Sequence, residues 1–364
     1  IKNDDTLLNP LHIDINGKLK QFDRVIANPP FSQNYSKDNM KFKDRFVFGL
    51  CPEKGKKGDL MFVQHMIASL NAKGKMAVIM PHGVLFRGGE EKNIREGIIN
   101  AKILEAVIGL PPNLFYGTGI PACVLIINKN RVDNKDKILL INADREYKEG
   151  KNQNSLRPED IEKISFVFKN KIELPKYSKL VDIKTIGEEE FNLNIRRYVD
   201  TTPDPDPQDV KAHIRGGVPK KEWNDDLLDT YRIKKELLFS DKNEEYFIFN
   251  NIKNKEEIHE ILENSKEFKE TDDRIRELVC KWFDIYSNEI IKINNGRDVH
   301  QLLDLGFESI MATLKDNKVL DEFQIRGLFI NWWNLNKFDL KTIKESGWKQ
   351  SLISNFDFGH EKKN

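Results

Sequence analysis

The chain has 364 residues, of which 39% are hydrophobic and 32% charged, a balance that excludes a disordered or low-complexity protein. Its formal net charge of +1 excludes an overall basic field, so any nucleic-acid binding has to use local basic patches. No apolar run approaches the ~20 residues that a transmembrane helix needs, and the chain has only three cysteines without a Cys-x-x-Cys pair. We therefore expect a cytoplasmic protein without membrane contact or zinc knuckle, and we predict that each cysteine is a small buried side chain.

The first half of the chain alternates short β-type runs with amphipathic helical stretches. Such alternation predicts a doubly wound, mostly parallel α/β sheet with helices on both faces. In chain order we predict a buried strand at 22–27, a helix at 59–70, a strand at 75–80, a helix at 91–100 and strands at 103–110, 122–128 and 137–142. The polar turn between the last two strands predicts a hairpin, and hence an antiparallel strand at one edge of the sheet.

The second half of the chain has a different character. Residues 200–208 (DTTPDPDPQ) hold three prolines, which excludes a helix or a central strand there. From residue 222 onward proline is absent, and apolar residues recur at helical spacing in long charged stretches. We therefore predict the catalytic-strand half of a domain at 1–200, a Pro/Gly-rich linker at 201–221 and an α-helical C-terminal domain at 222–364.

The most informative residues are Asn28-Pro29-Pro30-Phe31, directly after the first predicted strand. In open parallel sheets, ligands bind outside the carboxyl ends of the strands. The amide oxygen of Asn28 and the carbonyl of Pro29 offer two hydrogen-bond acceptors, which the two prolines hold rigidly, and Phe31 offers a flat face for stacking. A turn that merely ends a strand would use the same residue types, so the rest of the chain has to decide.

Two fixed acceptors beside an aromatic ring suit one exocyclic amino group on a flat heterocycle. Such an amino nitrogen is a poor nucleophile, and accepting both of its hydrogens favours the tetrahedral geometry needed to attack a methyl group. A base inside duplex DNA is out of reach, so it would have to flip out, and stacking on Phe31 would offset part of the unstacking cost.

The tetrapeptide Asn28–Phe31 resembles the Asn-Pro-Pro-Phe motif of amino-group DNA methyltransferases that act on adenine N6. Further segments are similar, in the same order, to modification subunits of type I restriction–modification systems: 87–90, 94–95, 108–111, 113–121, 192–195, 197–198, 216–219, 331–333 and 347–348. The resemblance implies a Rossmann-like methyltransferase sheet, S-adenosyl-L-methionine as methyl donor, and double-stranded DNA, a specificity subunit and a restriction subunit as partners. It also implies that Asn28 and Pro29 hold the adenine amino group while Phe31 stacks on the base.

The sequence departs from this family in its donor-binding segment. The family's glycine turn should lie upstream of Asn28, but only 27 residues precede Asn28 and none of them forms such a turn. We therefore expect the first strands of the fold to be missing, Asn28 to lie at the edge of the donor site, and the chain alone to bind S-adenosyl-L-methionine weakly or not at all and to be inactive. Residues 117–119 (GTG) precede a strand rather than a helix, so we interpret them as a loop at the rim of the sheet.

Several basic residues in predicted loops are candidates for contact with DNA phosphates. They are Arg87, Lys56, Lys57 and Arg197. For each, a solvated surface position or a salt bridge is the alternative interpretation. His82 is either a turn residue or a hydrogen-bonding partner near the site, and the histidine spacing implies no metal.

Three classes of function compete. The leading interpretation is an adenine-N6 DNA methyltransferase subunit that takes its sequence specificity from a partner. The second is a non-catalytic assembly or DNA-clamp subunit, because the donor-binding segment is absent. The third keeps the enzyme but changes the substrate to cytosine N4 or a protein glutamine amide. Trp332, Trp333 and Trp348 either form the core of the helical tail or a patch for a partner.

Overall fold

A computed structural model describes residues 2–55, 57–116, 118–203, 208–223, 226–295 and 298–360. The chain divides into two compact units, Ile1–Pro203 and Asp204–Asn364, which we call the N-terminal and the C-terminal unit. Within the described ranges, no helix has an apolar stretch long enough to cross a membrane.

The N-terminal unit contains a sheet of six strands. These are β1 Phe22–Ala27, β2 Leu70–Pro81, β3 Leu104–Gly109, β4 Ala122–Asn128, β5 Lys137–Asn142 and β6 Ser178–Asp182. Their order across the sheet is β1-β2-β4-β3-β5-β6. β1, β2, β3 and β5 run parallel to one another, whereas β4 and β6 run in the opposite direction. The prediction of a mostly parallel α/β sheet is therefore confirmed.

The predicted hairpin at 122–142 is wrong. β4 lies inside the sheet, antiparallel to both β2 and β3, so that Leu125 is opposite Val78 on one side and Val107 on the other. β5 pairs instead with β3 and β6. The apolar sequence of β4 suits a strand covered on both faces, which favours the centre of the sheet over an edge. The turn at 129–136 is long enough to pass β3, a step of about 10 Å at the usual strand spacing.

Helices cover both faces of this sheet. They are α1 Asp59–Ala68, α2 Glu90–Asn100, α3 Pro158–Asn170 and α4 Ile183–Glu188. Neighbouring residues of one strand point to opposite faces. Val107 of β3 therefore joins the core under α1, α2 and α4, whereas Ala106 and Ile108 join the core under α3. Each fully buried aliphatic side chain contributes about 1.5–3 kcal/mol to folding.

β1 is an edge strand rather than the buried strand predicted. It pairs only with β2, and Ile26 is 85% exposed. The apolar pattern of a strand does not reveal whether both faces are covered, because that depends on the neighbouring elements. The carboxyl end of β1 nevertheless lies at the same edge as the ends of β2, β3 and β5.

The C-terminal unit is mainly helical but also contains a small sheet. Its elements are α5 Val210–Arg215, β7 Val218–Pro219, α6 Asp226–Tyr231, β8 Phe239–Asp241, β9 Tyr246–Phe249, α7 Lys255–Asn264, α8 Lys266–Ile291, α9 Val299–Thr313 and α10 Glu322–His360. α10 is interrupted at Gly347, where φ is +81°. The sheet has the order β7-β9-β8 and includes Val218 from the predicted linker, opposite Phe247. Its aromatic residues pack across neighbouring strands, a pattern that the helical periodicity of the surrounding sequence conceals.

An aromatic cluster forms the core of the helical region. The rings of Trp282 and Tyr286 are stacked with centroids 5.1 Å apart, and Phe329 and Trp333 complete the buried set. Trp332 and Trp348 pack against this cluster while staying partly exposed.

The cysteine prediction is only partly correct. Cys51 and Cys123 are buried, but Cys280 is exposed on α8. For a single small residue on an amphipathic helix, the sequence does not reveal whether the side chain faces the core or the solvent.

Candidate active site at the carboxyl edge of the sheet

The segment Asn28–Phe31, called the NPPF loop below, leaves β1 at the carboxyl edge of the sheet. Because β3 runs parallel to β1, the segment 110–121 that follows β3 begins at this same edge. It then enters β4, whose first residues lie beside the last residues of β2. Both segments therefore face the region where parallel sheets usually bind their ligands.

The two segments enclose a cleft of about 370 Å³. That volume lies within the range of small-molecule sites, roughly 300–1,000 Å³. The cleft is lined by Asn28, Pro29, Pro30, Phe31, Ser32, Phe115, Tyr116, Thr118 and Ile120. The four residues predicted from the motif all line this cleft, and so does Thr118 of the loop 117–119; Gly117 lies outside the described residues.

Sequence reasoning missed the second wall of the cleft. Phe115 and Tyr116 carry its aromatic surface, and Tyr116 is 92% exposed. The ring centroids of Phe31 and Phe115 are 6.0 Å apart with an interplanar angle of 73°, an edge-to-face contact. The sequence does show two adjacent aromatic residues, Phe115 and Tyr116, in a loop between two predicted strands. It does not show that Phe115 contacts Phe31, because that contact depends on the order of the strands in the sheet.

The acceptors of the NPPF loop are accessible. Asn28 is exposed and Pro29 half-buried. Within the described ranges, neither the Asn28 side chain nor the Pro29 carbonyl forms a hydrogen bond to another residue. Both acceptors therefore remain available to a ligand with two N–H donors.

The second wall is held by the segment that follows β5. The backbone N–H of Asn154 donates to the carbonyl of Asn113 at 2.9 Å, and its side-chain amide donates to the carbonyl of Pro112 at 2.9 Å. The Gln153 amide donates to the carbonyl of Leu114. These bonds fix the backbone immediately before Phe115, so its ring has a defined position.

The described basic residues that we predicted to contact phosphate have intramolecular partners. Arg87 Nη1 lies 3.2 Å from Asp59 Oδ2 and 3.3 Å from Glu91 Oε1. Lys57 Nζ lies 4.0 Å from Glu91 Oε2. Burial raises the pKa of Glu91, whereas the neighbouring Arg87 lowers it. Through Asp59, which contacts Ser32, this group lies next to the NPPF loop.

The other two residues predicted to contact phosphate are Arg197 and Lys56. Arg197 pairs with Glu189, and both side chains are about half exposed. Lys56 lies outside the described residues. Phosphate contact stays a prediction for all four basic residues.

His82 lies beside the cleft. Its backbone N–H donates to the carbonyl of Pro121 at 3.1 Å, next to the lining residue Ile120. Burial lowers the pKa of His82, and its Nε2 is buried without a hydrogen-bond partner among the described residues. Burial therefore favours the neutral ring, whereas a hydrogen bond to the backbone of Ala122 acts in the opposite direction.

The sequence of this chain is similar to those of known DNA methylases. The model of the family described as "N-6 DNA Methylase" matches residues 1–206. The type I restriction enzyme MjaVIII methylase subunit of Methanocaldococcus jannaschii is 37% identical over 218 residues, which cover 57% of this chain and 37% of that protein. The MpnII methylase subunit of Mycoplasma pneumoniae is 34% identical over 198 residues, covering 52% of this chain and 36% of that protein.

A solved structure is also similar. It is the methyltransferase subunit of a type I restriction–modification system from Streptococcus thermophilus, with 39% identity and a TM-score of 0.51. The match covers 55% of this chain and 42% of that one. This chain thus spans less than half the length of each of these relatives.

Proposed function

Because the chain belongs to the N-6 DNA methylase family, we propose that it is part of the adenine-N6 DNA methyltransferase subunit of a type I restriction–modification system. The observation that carries this proposal is the cleft at the carboxyl edge, where two free acceptors stand beside an aromatic wall. Such a cleft suits a flipped adenine with one exocyclic amino group.

The residues of the cleft define the acceptor side of the reaction. The amide oxygen of Asn28 and the carbonyl of Pro29 accept the two hydrogens of the adenine amino group, which directs the nitrogen lone pair away from the loop. Pro30 keeps the backbone between the acceptors and Phe31 rigid. The ring of Phe31 stacks on the base, and Phe115 contacts the Phe31 ring edge to face. Catalysis on this side consists of positioning and electrostatic stabilisation, without a strong base.

The described lining of the cleft does not fit the methyl donor. S-adenosyl-L-methionine carries a ribose and a charged amino-acid group, which proteins of this fold bind with an acidic residue and a glycine turn. The described residues that line the cleft include neither. We propose that Asn28 reaches only the edge of the donor site, and that this chain by itself binds the donor weakly and is inactive alone.

The partners follow from the same proposal. Double-stranded DNA supplies the adenine, a specificity subunit selects the sequence, and a restriction subunit shares the assembly, as for the type I enzymes in which the relatives are methylase subunits. Exposed apolar residues on α10, such as Leu335 and Phe338, suit contact with another subunit. The net charge of only +1 also fits DNA binding that is shared with other subunits.

Replacing Asn28 tests the proposal. In a host that carries the complete system, Asn28→Ala should reduce N6-adenine methylation at one target sequence by about 10²–10³-fold, because one of two acceptors in a preorganised site is lost. Asn100→Ala, which removes an exposed amide at the end of α2, should leave methylation unchanged. Mapping modified bases in genomic DNA gives the answer, and wild-type methylation levels in Asn28→Ala would contradict the proposal.

A further inference from the structure

A buried carboxylate lies directly behind the NPPF loop. Asp59, the first residue of α1, is 1% exposed, and its Oδ1 accepts a hydrogen bond from the backbone N–H of Ser32 at 2.7 Å. Ser32 follows Phe31 and has a φ of +54°, in the left-handed region that few residues other than glycine adopt. Such a backbone persists only where its surroundings hold it. The hydrogen bond to a carboxylate is a strong restraint of that kind.

A second contact fixes the next residue of the chain. The backbone N–H of Gly58 donates to the carbonyl of Gln33 at 2.9 Å. A β carbon on Gly58 would stand 2.9 Å from that same oxygen, so only glycine permits this approach. The beginning of α1 therefore holds two consecutive residues, Ser32 and Gln33, at the exit of the NPPF loop.

The other oxygen of Asp59 is held by a cation. Its Oδ2 lies 3.2 Å from Arg87 Nη1, which also lies 3.3 Å from Oε1 of the buried Glu91. Gly83 leaves the space that the guanidinium occupies, since a β carbon there would stand 2.5 Å from it. Arg87 thus bridges two carboxylates that are almost completely removed from water.

This geometry limits what else Arg87 can do. If its guanidinium moved to a DNA phosphate, the buried carboxylates of Asp59 and Glu91 would lose their closest cation. An unpaired buried charge is strongly unfavourable. Among the described residues, Lys57 lies 4.0 Å from Glu91 and forms no ion pair with Asp59.

We propose that Asp59 is a positioning residue for the NPPF loop and that Arg87 holds the Asp59 carboxylate in place. The proposal rests on the function proposed above. By fixing Ser32, Asp59 sets the direction in which Phe31 and the two acceptors at Asn28 and Pro29 point. A displacement of about 1 Å at such acceptors would cost on the order of 100-fold in rate.

Hydrogen exchange measured on this chain gives a readout that does not need methylation. Pro29 and Pro30 have no backbone N–H, so a peptide covering 28–34 reports on few amides, among them that of Ser32. In Asp59→Ala, exchange in this peptide should be faster by about tenfold to a hundredfold, the factor that a hydrogen bond to a charged group is worth. Asp59→Asn keeps an acceptor and should fall between Asp59→Ala and the wild type. Asp38→Ala, which removes an exposed carboxylate, is the matched control.

Arg87→Gln separates positioning from phosphate contact in the same experiment. Positioning predicts faster exchange in the 28–34 peptide, because Asp59 then lacks the cation that holds it. A residue that only contacts phosphate would leave exchange as in the wild type. Should Asp59→Ala fail to fold, unchanged exchange in Arg87→Gln overturns the proposal equally well.

Kinetics of the assembled methyltransferase complete the test. Asp59→Ala should lower kcat about 100-fold with the KM for DNA nearly unchanged, and Asp59→Asn should recover part of that loss. A wild-type complex without adenine methylation would refute the proposed function but leave the exchange result standing. An active complex in which Asp59→Ala has the wild-type kcat would overturn the positioning role alone.

Discussion

Gly306 lies on the buried side of α9, where a β carbon would stand 2.2 Å from the ring of Phe329 and 2.9 Å from the hydroxyl of Tyr286. Glycine inside a helix costs about 1 kcal/mol relative to alanine. The ring of Phe329, which is 1% exposed, fills the space that this glycine leaves. Close packing of an aromatic core therefore outweighs helix propensity at this position.

Gly306→Ala should destabilise the C-terminal unit by about 1–3 kcal/mol, because the gain in helix propensity is smaller than the cost of displacing a packed ring. All five tryptophans lie between residues 223 and 348, so tryptophan fluorescence during chemical denaturation follows this unit. Glu308→Ala is the control, since this side chain lies on the same helix and is exposed. A midpoint for Gly306→Ala at or above that of the wild type would show that Phe329 can move aside.

Single residues also differ sharply in burial at the candidate active site. Asn28 offers its amide because it is exposed and without a protein partner among the described residues, whereas Asp59 is effective because it is buried and fully engaged. The unpaired acceptors of the proposed reaction therefore depend on a neighbouring side chain, Asp59, that is itself held by a hydrogen bond and an ion pair. Substitutions at the two positions should have different signatures, with a loss of binding contacts at Asn28 and a loss of order at Asp59.

At the scale of elements, α1 connects the active-site edge with the core. Its first residue, Asp59, holds the NPPF loop, and its later residues Leu60, Met61 and Val63 are buried against the sheet. His65 in the same helix is partly buried, and its Nδ1 has no hydrogen-bond partner among the described residues. Burial, followed by the nearby Arg45 and His12, lowers the pKa of His65 to about 4.

The stability of the N-terminal unit should therefore fall as the pH drops from about 6.5 to about 4. In that window the unfolded chain binds a proton at His65 that the folded chain does not, so protonation favours unfolding, by about 3 kcal/mol at most. Far-UV circular dichroism during denaturation at several pH values measures the effect. His65→Gln should have a shallower pH dependence over this window.

Exposed His259 on α7 provides the control. His259→Gln should keep the pH dependence of the wild type, because the ion pair of His259 with Glu263 is exposed to solvent and contributes little. If His65→Gln and the wild type lose stability in parallel, the neutral buried state of His65 is not the cause.

At the scale of the whole molecule, the two units have separate hydrophobic cores. The family match covers residues 1–206 and thus coincides with the N-terminal unit, which ends at Pro203. This unit carries the acceptor side of the proposed reaction, whereas the described residues of the cleft lining include no acidic side chain for the donor's ribose. Donor binding should therefore be measured on this 364-residue chain.

Calorimetry with S-adenosyl-L-methionine and this chain should give a Kd weaker than about 1 mM, which corresponds to less than about 4 kcal/mol of binding free energy. S-adenosyl-L-homocysteine, which lacks the transferred methyl group, should bind equally weakly. A micromolar Kd for either compound would contradict the prediction and would assign a donor site to residues of this chain.

The sequence alone determined that strands and helices alternate in the N-terminal unit, and it predicted a chemistry for the motif. Strand–helix alternation predicted the α/β sheet, and the position of Asn28–Phe31 after a strand predicted acceptors at the carboxyl edge, because both signals are local. Periodicity is imposed residue by residue, so it can be read without knowing which elements are neighbours.

Only the tertiary structure decided which elements meet. In the structure, β4 lies inside the sheet rather than in a hairpin, Phe115 contacts Phe31, and Arg87 pairs with Asp59. These contacts join residues far apart in the chain, and their energies depend on strand order and burial rather than on local sequence. The second wall of the cleft and the support behind the NPPF loop are consequences of that order, which no local pattern encodes.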